Sequence, residues 1–161
     1  MAGLIDRNMK PDLIQRFFKK LQPQRERLLI VDDEEELRKL FSGFFEKRGY
    51  RVSTAESLEV AEAKLAEEAF DLILQDVMLG DGDGIEFLQR IKLLQPGVPV
   101  IILTGLGYDE PILHEATENG AAGYMSKLLP LDQVLMEVHR VLKANAAGSS
   151  QDTAAKLEIA E

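Results

Sequence analysis

The 161 residues hold no cysteine, two histidines and 28 acids against 19 Lys and Arg, for a net charge of −9. That length suits one domain with an appendage, the missing thiols exclude disulfides and thiolate metal sites, and the acidity excludes a broadly basic nucleic-acid face. No apolar run nears the roughly 18 residues of a membrane span and the N-terminus lacks a secretory pattern, so the chain is expected in the cytoplasm.

Residues 1–26 carry six Lys/Arg (Arg7, Lys10, Arg16, Lys19, Lys20, Arg25) against Asp6, Asp12 and Glu26, a local +3 that leaves −12 on the remainder. Pro11 is expected to open an amphipathic helix with Leu13, Ile14, Phe17, Phe18 and Leu21 on one side, a basic extension that packs on its own domain or on a dimer mate, with a membrane-surface or partner-binding role as the alternative. Strand and helix signals then alternate five times. Arg27 to Val31 reads as a buried strand, and Asp33 with Glu36 as a capping box opening a helix with Leu37, Leu40, Phe41, Phe44 and Phe45 at helical spacing. Gly49 ends that helix. Arg51 to Thr54 is a short second strand, and Ser57 caps a helix with Leu58, Ala61 and Leu65 inward. Asp71 to Asp76 is a third strand of continuous apolar residues running into an acid. After a glycine turn, Asp83 and Glu86 form another capping box for a helix bearing Leu88 and Ile91. Pro99 to Thr104 is the fourth strand, a helix runs from about Asp109 to Asn119-Gly120, Gly123 to Ser126 is the fifth strand, and Pro130 opens a last helix. From Ala144 the composition turns small and polar, as in a linker or frayed end.

Five β-α units with short links imply an α/β fold, a doubly wound (βα)5 parallel sheet with flavodoxin-like strand order 2-1-3-4-5 and an extra N-terminal amphipathic helix. The division is 1–26 extension, 27–143 domain, 144–161 tail. In such sheets ligands bind at the carboxyl edge of the strands. Asp32 and Asp33 follow the first strand, Asp76 ends the third, Thr104 ends the fourth and Lys127 follows the fifth, so all five project from that edge. Singly, each has a structural explanation as a cap, a β-former or a surface charge. Together they place three carboxylates side by side, where two like charges ~4 Å apart at an effective dielectric of about 20 repel by about 4 kcal/mol. Oxygen ligands without His or Cys select Mg2+ or a similar ion, while a lysine and a hydroxyl suit phosphoryl oxygens, leaving one carboxylate to attack phosphorus.

The stretch Asp81-Gly82-Asp83-Gly84 also invites comparison with a calcium loop. Setting Asp81 and Asp83 at the third and fifth positions puts Leu79 at the first and Arg90 at the twelfth, where acids are required. A flavodoxin's phosphate loop would be repelled by Asp32-Asp33-Glu34-Glu35-Glu36. Haloacid-dehalogenase-type phosphatases use Asp-x-Asp on the first strand rather than adjacent acids, and no P-loop is present.

The acid pair in LLIVDDEEELRKL, the aspartate in DLILQDVMLGDGDG, the threonine in VPVIILTG and the lysine in GAAGYMSK stand in the order of a response-regulator receiver domain of two-component signalling, which the chain resembles over roughly residues 27 to 143. The resemblance, to the CheY-like superfamily, implies that Asp76 accepts a phosphoryl group from a sensor histidine kinase or phosphotransfer protein. It implies that Asp32, Asp33, Asp76 and the main-chain carbonyl of Met78 hold Mg2+, and that Thr104 and Lys127 contact the phosphoryl group. Tyr124 matches the switch aromatic that moves with Thr104, and Gly105 the small residue that leaves the site open. A signalling switch rather than an enzyme in the ordinary sense is implied, with a downstream protein target or a further output domain, no direct nucleic-acid binding and a possible homodimer. Departures are Leu128 after Lys127 where proline is usual, which leaves that peptide trans or strained, Gly80 where proline is common, and the polar Gln75 before the acceptor. They keep open a pseudo-receiver that serves as a phosphorylation-independent binding scaffold.

Overall fold

The computed structural model describes residues 25–158 apart from Leu106 and Tyr108, with side chains to Gly148; the helix expected from Pro11 lies outside the described residues. Five parallel strands form the sheet: β1 (Arg27–Val31), β2 (Arg51–Ala55), β3 (Leu72–Asp76), β6 (Val100–Thr104) and β7 (Gly123–Ser126). Their order is β2-β1-β3-β6-β7, and a separate two-stranded hairpin joins β4 (Met78–Leu79) to β5 (Gly82–Asp83). With the hairpin set aside this is the order expected for a doubly wound sheet.

Alternation along each strand sends side chains to two cores. Leu29, Val31, Ile73, Val100 and Ile102 pack under α2 (Leu58–Glu67), α3 (Gly84–Leu94) and α4 (Glu110–Glu118), through Ala61, Leu65, Leu88, Ile91 and Ala116. Leu28, Ile30, Leu72, Leu74 and Leu103 pack under α1 (Glu35–Glu46) and α5 (Leu131–Glu158), through Phe41, Phe45, Val134, Val138 and Val141. Each fully buried aliphatic or aromatic side chain contributes about 1.5–3 kcal/mol. With both faces covered, β3 and β6 are buried at every position.

Two expectations about helix ends are corrected. Asp33 does not cap α1: Glu34 occupies the N-cap position without a side-chain cap bond, and the Asp32 carboxylate instead accepts the Glu34 N–H at 2.9 Å. An aspartate bonding two residues on is an Asx turn, which leaves Asp33 exposed at the strand edge. The residues after Ala144, read as linker or frayed end, continue α5 as helix to Glu158. Alanines at 144, 146 and 147 have the highest helix propensity of any residue, which suits the continuation of the helix.

The acids of the Asp81-Gly82-Asp83-Gly84 stretch are helix caps, one for each of two helices. Asp81 accepts the Leu58 N–H at 2.9 Å, joining Ser57, whose hydroxyl takes the Val60 N–H, at the start of α2. Asp83 takes the Ile85 N–H at 2.7 Å at the start of α3. Asp81→Ala is expected to cost about 1 kcal/mol, the usual value of a lost cap, read as a lowered urea midpoint; a midpoint equal to the parent's would show the long-range cap to be idle.

Candidate functional site at the carboxyl edge of the sheet

Parallel pairing brings the strand ends together. Asp76 stands opposite Leu103 in the β3–β6 register, and Thr104 opposite Ser126 in the β6–β7 register. Asp32 leaves β1 with its N–H on Ala55 O at 3.0 Å, Val77 bonds Leu103 O at 2.9 Å, and Lys127 bonds Thr104 O at 2.8 Å. The main chain thus carries the ladder one residue past each strand end and fixes where the polar side chains start.

Three carboxylates converge on one ammonium. Lys127 Nζ lies 2.6 Å from Asp76 Oδ2, 2.7 Å from Asp32 Oδ2 and 3.0 Å from Glu34 Oε1. The side chains of Lys127, Asp32 and Asp76 are almost wholly buried, while that of Glu34 is mostly exposed. Asp33 completes the acid group: one carboxylate oxygen from each of Asp32, Asp33 and Asp76 lies within 4.8 Å of the other two. The lysine therefore reaches the acids although Leu128 follows it. The peptide joining them is trans, as are the peptides throughout the described residues.

The electrostatics follow from burial and proximity. Burial raises the Asp32 carboxyl above its ordinary value, and the charge of Asp76 adds to this; the Lys127 ammonium and the Glu34 N–H pull the other way without overcoming it. Burial pulls Lys127 down, but its bonds to Asp32, Asp76 and Glu34 outweigh that and hold it well above the usual lysine range. An ammonium shared by three carboxylates stays charged.

Thr104 is fully buried at the end of β6. A Cβ built at Gly105 meets nothing within 4 Å. Asp76 Oδ1 accepts the Met78 N–H at 3.1 Å, which sets the Met78 peptide beside the acids. Tyr124, on β7, is half-buried, and its hydroxyl is enclosed without a hydrogen-bond partner. Two participants were not foreseen. Glu34 looked like one more member of an acidic run, and only the structure sets it apart as the third carboxylate on Lys127. Arg38 donates from Nη1 to the Asp32 main-chain carbonyl at 2.6 Å, bracing the peptide between Asp32 and Asp33; its position one turn into α1 was the available signal.

As a donor set, three carboxylates with no nitrogen or sulfur ligand fit a hard divalent cation.

Comparison with known proteins agrees with this geometry. Residues 28–139 match the family model described as response regulator receiver domain. The transcriptional regulatory protein GlrR of Escherichia coli K12 is 33% identical over 124 residues, covering 77% of this chain and 28% of that protein. This chain thus spans only about a quarter of the length of such curated relatives. Among solved structures, a receiver domain protein (CheY-like) from Methanospirillum hungatei JF-1 superposes with a TM-score of 0.74 at 28% identity, covering 78% of this chain and 99% of the other. The beryllofluoride-activated NtrC4 receiver domain dimer gives 0.70 at 34% identity, covering 74% and 98%. Strand order, acid cluster and family match converge, and the chain belongs to the response-regulator receiver family of two-component systems, with a CheY-like fold.

Proposed function

We propose that this domain is a phosphorylation switch: Asp76 takes a phosphoryl group from a histidine kinase or phosphotransfer protein and hands the change to a protein target or an attached output domain. The observation that carries the reading is the single ammonium of Lys127 held between Asp76 and Asp32, with Asp33 alongside. A carboxylate oxygen of Asp76 attacks phosphorus, the bond from phosphorus to the donor's imidazole nitrogen breaks, and its electron pair stays on that nitrogen, which takes up a proton. The product is an acyl phosphate. Asp32, Asp33, Asp76 and the Met78 carbonyl would hold Mg2+, which supplies positive charge against the incoming phosphoryl oxygens. Lys127 exchanges a carboxylate partner for a phosphoryl oxygen, and the Thr104 hydroxyl binds another.

Thr104 and Tyr124 then form the moving pair, the threonine drawn to the phosphoryl group and the ring following on the same sheet face. The geometry at Lys127 favours this reading over a scaffold that has lost its chemistry. The likeness to an activated receiver dimer supports a homodimer as one output.

Beryllofluoride, a phosphoryl mimic, tests the reading. It is expected to shift backbone amide resonances around Asp76, Thr104 and Lys127 only when Mg2+ is present, and to shift none in Asp76→Asn. Shifts that persist in Asp76→Asn, or that need no divalent ion, would remove Asp76 as acceptor.

A further inference from the structure

Gln75 is a polar residue in a strand whose every position is buried, and the phosphoacceptor role of Asp76 makes no use of it. Its Nε2 donates to the Gly84 carbonyl in the first turn of α3, while its Oε1 is enclosed without a hydrogen-bond partner. That orientation is fixed chemically, because turning the amide over would set oxygen against the Gly84 oxygen. The only other enclosed, unpartnered uncharged polar atom among the described side chains is the hydroxyl of Tyr124.

The two orphans share one face of the sheet. Register aligns Val31 with Gln75, Gln75 with Ile102 and Ile102 with Tyr124, a single row across four strands. Val31, Ile102 and Tyr124 all belong to the core beneath α2, α3 and α4. Two strand spacings, about 10 Å, separate the Gln75 and Tyr124 backbones, with the buried Ile102 between them in the row; the two polar atoms do not bond each other directly, so a link between them takes one bridging water over Ile102. One orphan is an acceptor and the other a donor. Buried polar groups are paired in nearly all proteins because desolvation without a partner is costly, so a complementary pair left on one face is the natural match.

We propose that Gln75 is a positioning residue of the switch: its Oε1 accepts, through one enclosed water, the hydrogen bond that the Tyr124 hydroxyl donates, and its Nε2 passes the restraint to the first turn of α3. The role rests on Tyr124 being the switch aromatic. It gives the ring a polar anchor on the inner face, so that movement of Tyr124 breaks or makes a bond felt at Gly84.

Nuclear magnetic resonance on the full chain tests the bond without phosphorylation. Tyr124→Phe, which deletes one oxygen, is expected to shift the Gln75 side-chain amide resonances, and urea midpoints of Gln75→Met, Tyr124→Phe and the double variant are expected to be non-additive. Unmoved amide resonances with additive midpoints would overturn the bond. Mg2+ with beryllofluoride tests the switch role: the Gln75 amide signals should move together with the Tyr124 ring signals, and Gln75 signals that stay still while the ring signals move would overturn it. If no resonance near Asp76 responds, the phosphoacceptor reading and the switch role fall together, while the bond itself is judged by the first two measurements.

Discussion

Lys127→Met is expected to lower stability by about 3 kcal/mol at neutral pH, the low end of the cost of leaving a buried ion pair without one partner. The methionine fills similar volume, so little packing is lost. What changes is that Asp32 and Asp76 face each other with the cation gone, both nearly inaccessible to water. The pH dependence has a definite sign. The Asp32 carboxyl is already raised, by burial first, and losing Lys127 raises it further. A carboxyl whose folded-state value is raised favours folding when protonated, and that advantage disappears as pH rises from the ordinary 3.8 through the folded value. Lys127 works the other way in the parent, its contribution being complete below its ordinary 10.5 and lost only as pH rises through its raised folded value. The gap between parent and variant should therefore be small near pH 4 and full at pH 7, in urea unfolding at each pH. Mg2+ should stabilise the variant more than the parent, because binding to the folded state alone adds stability and the variant's acids lack a competing ammonium. A variant as stable as the parent at pH 7 would mean the acids are less desolvated than their burial indicates.

Gly84→Ala should cost about 2–3 kcal/mol despite substituting the best helix former for the worst but proline. A Cβ at residue 84 would stand 2.5 Å from the Asp76 carbonyl oxygen, 2.8 Å from the Val77 carbonyl oxygen and 2.9 Å from Gln75 Nε2. Two of the three are backbone and cannot swing aside. Relief requires α3 to retreat from the end of β3, and with it the peptide after Asp76. Helix propensity returns only about 1 kcal/mol, so the steric cost prevails, and the Mg2+-dependent response to beryllofluoride should weaken as well. Neighbouring glycines supply the controls. At Gly82 a Cβ meets only the Leu58 Cδ1 at 2.8 Å, a side-chain end that can move, and at Gly80 it meets nothing within 4 Å. Alanine at 80 should be neutral and at 82 mild, both measured by urea midpoint; equal costs at all three positions would point to loop flexibility rather than contact.

The strand order and the meeting of Asp32, Asp76 and Lys127 were legible because buried parallel strands leave continuous apolar runs whose ends are easily found. Partners were less legible. The run Asp32 to Glu36 offers five acids, and only the Asx turn decides that Asp32 bonds Glu34 while Asp33 stays exposed. The hairpin of β4 and β5 was read as a plain glycine turn because two-residue strands leave no periodicity to detect. The helical stretch after Ala144 was missed for the opposite reason: its small residues suit a linker and a helix equally, and no apolar stripe distinguishes them.

The caps at Asp81 and Asp83 leave the loop after Asp76 without slack. It is fastened to α2 at one acid, to α3 at the other and to Asp76 through the Met78 amide. Any event that drags the Met78 peptide pulls on the leading turns of two separate helices at once, so these two helices, on the same side of the sheet, cannot register the state of the acid cluster independently.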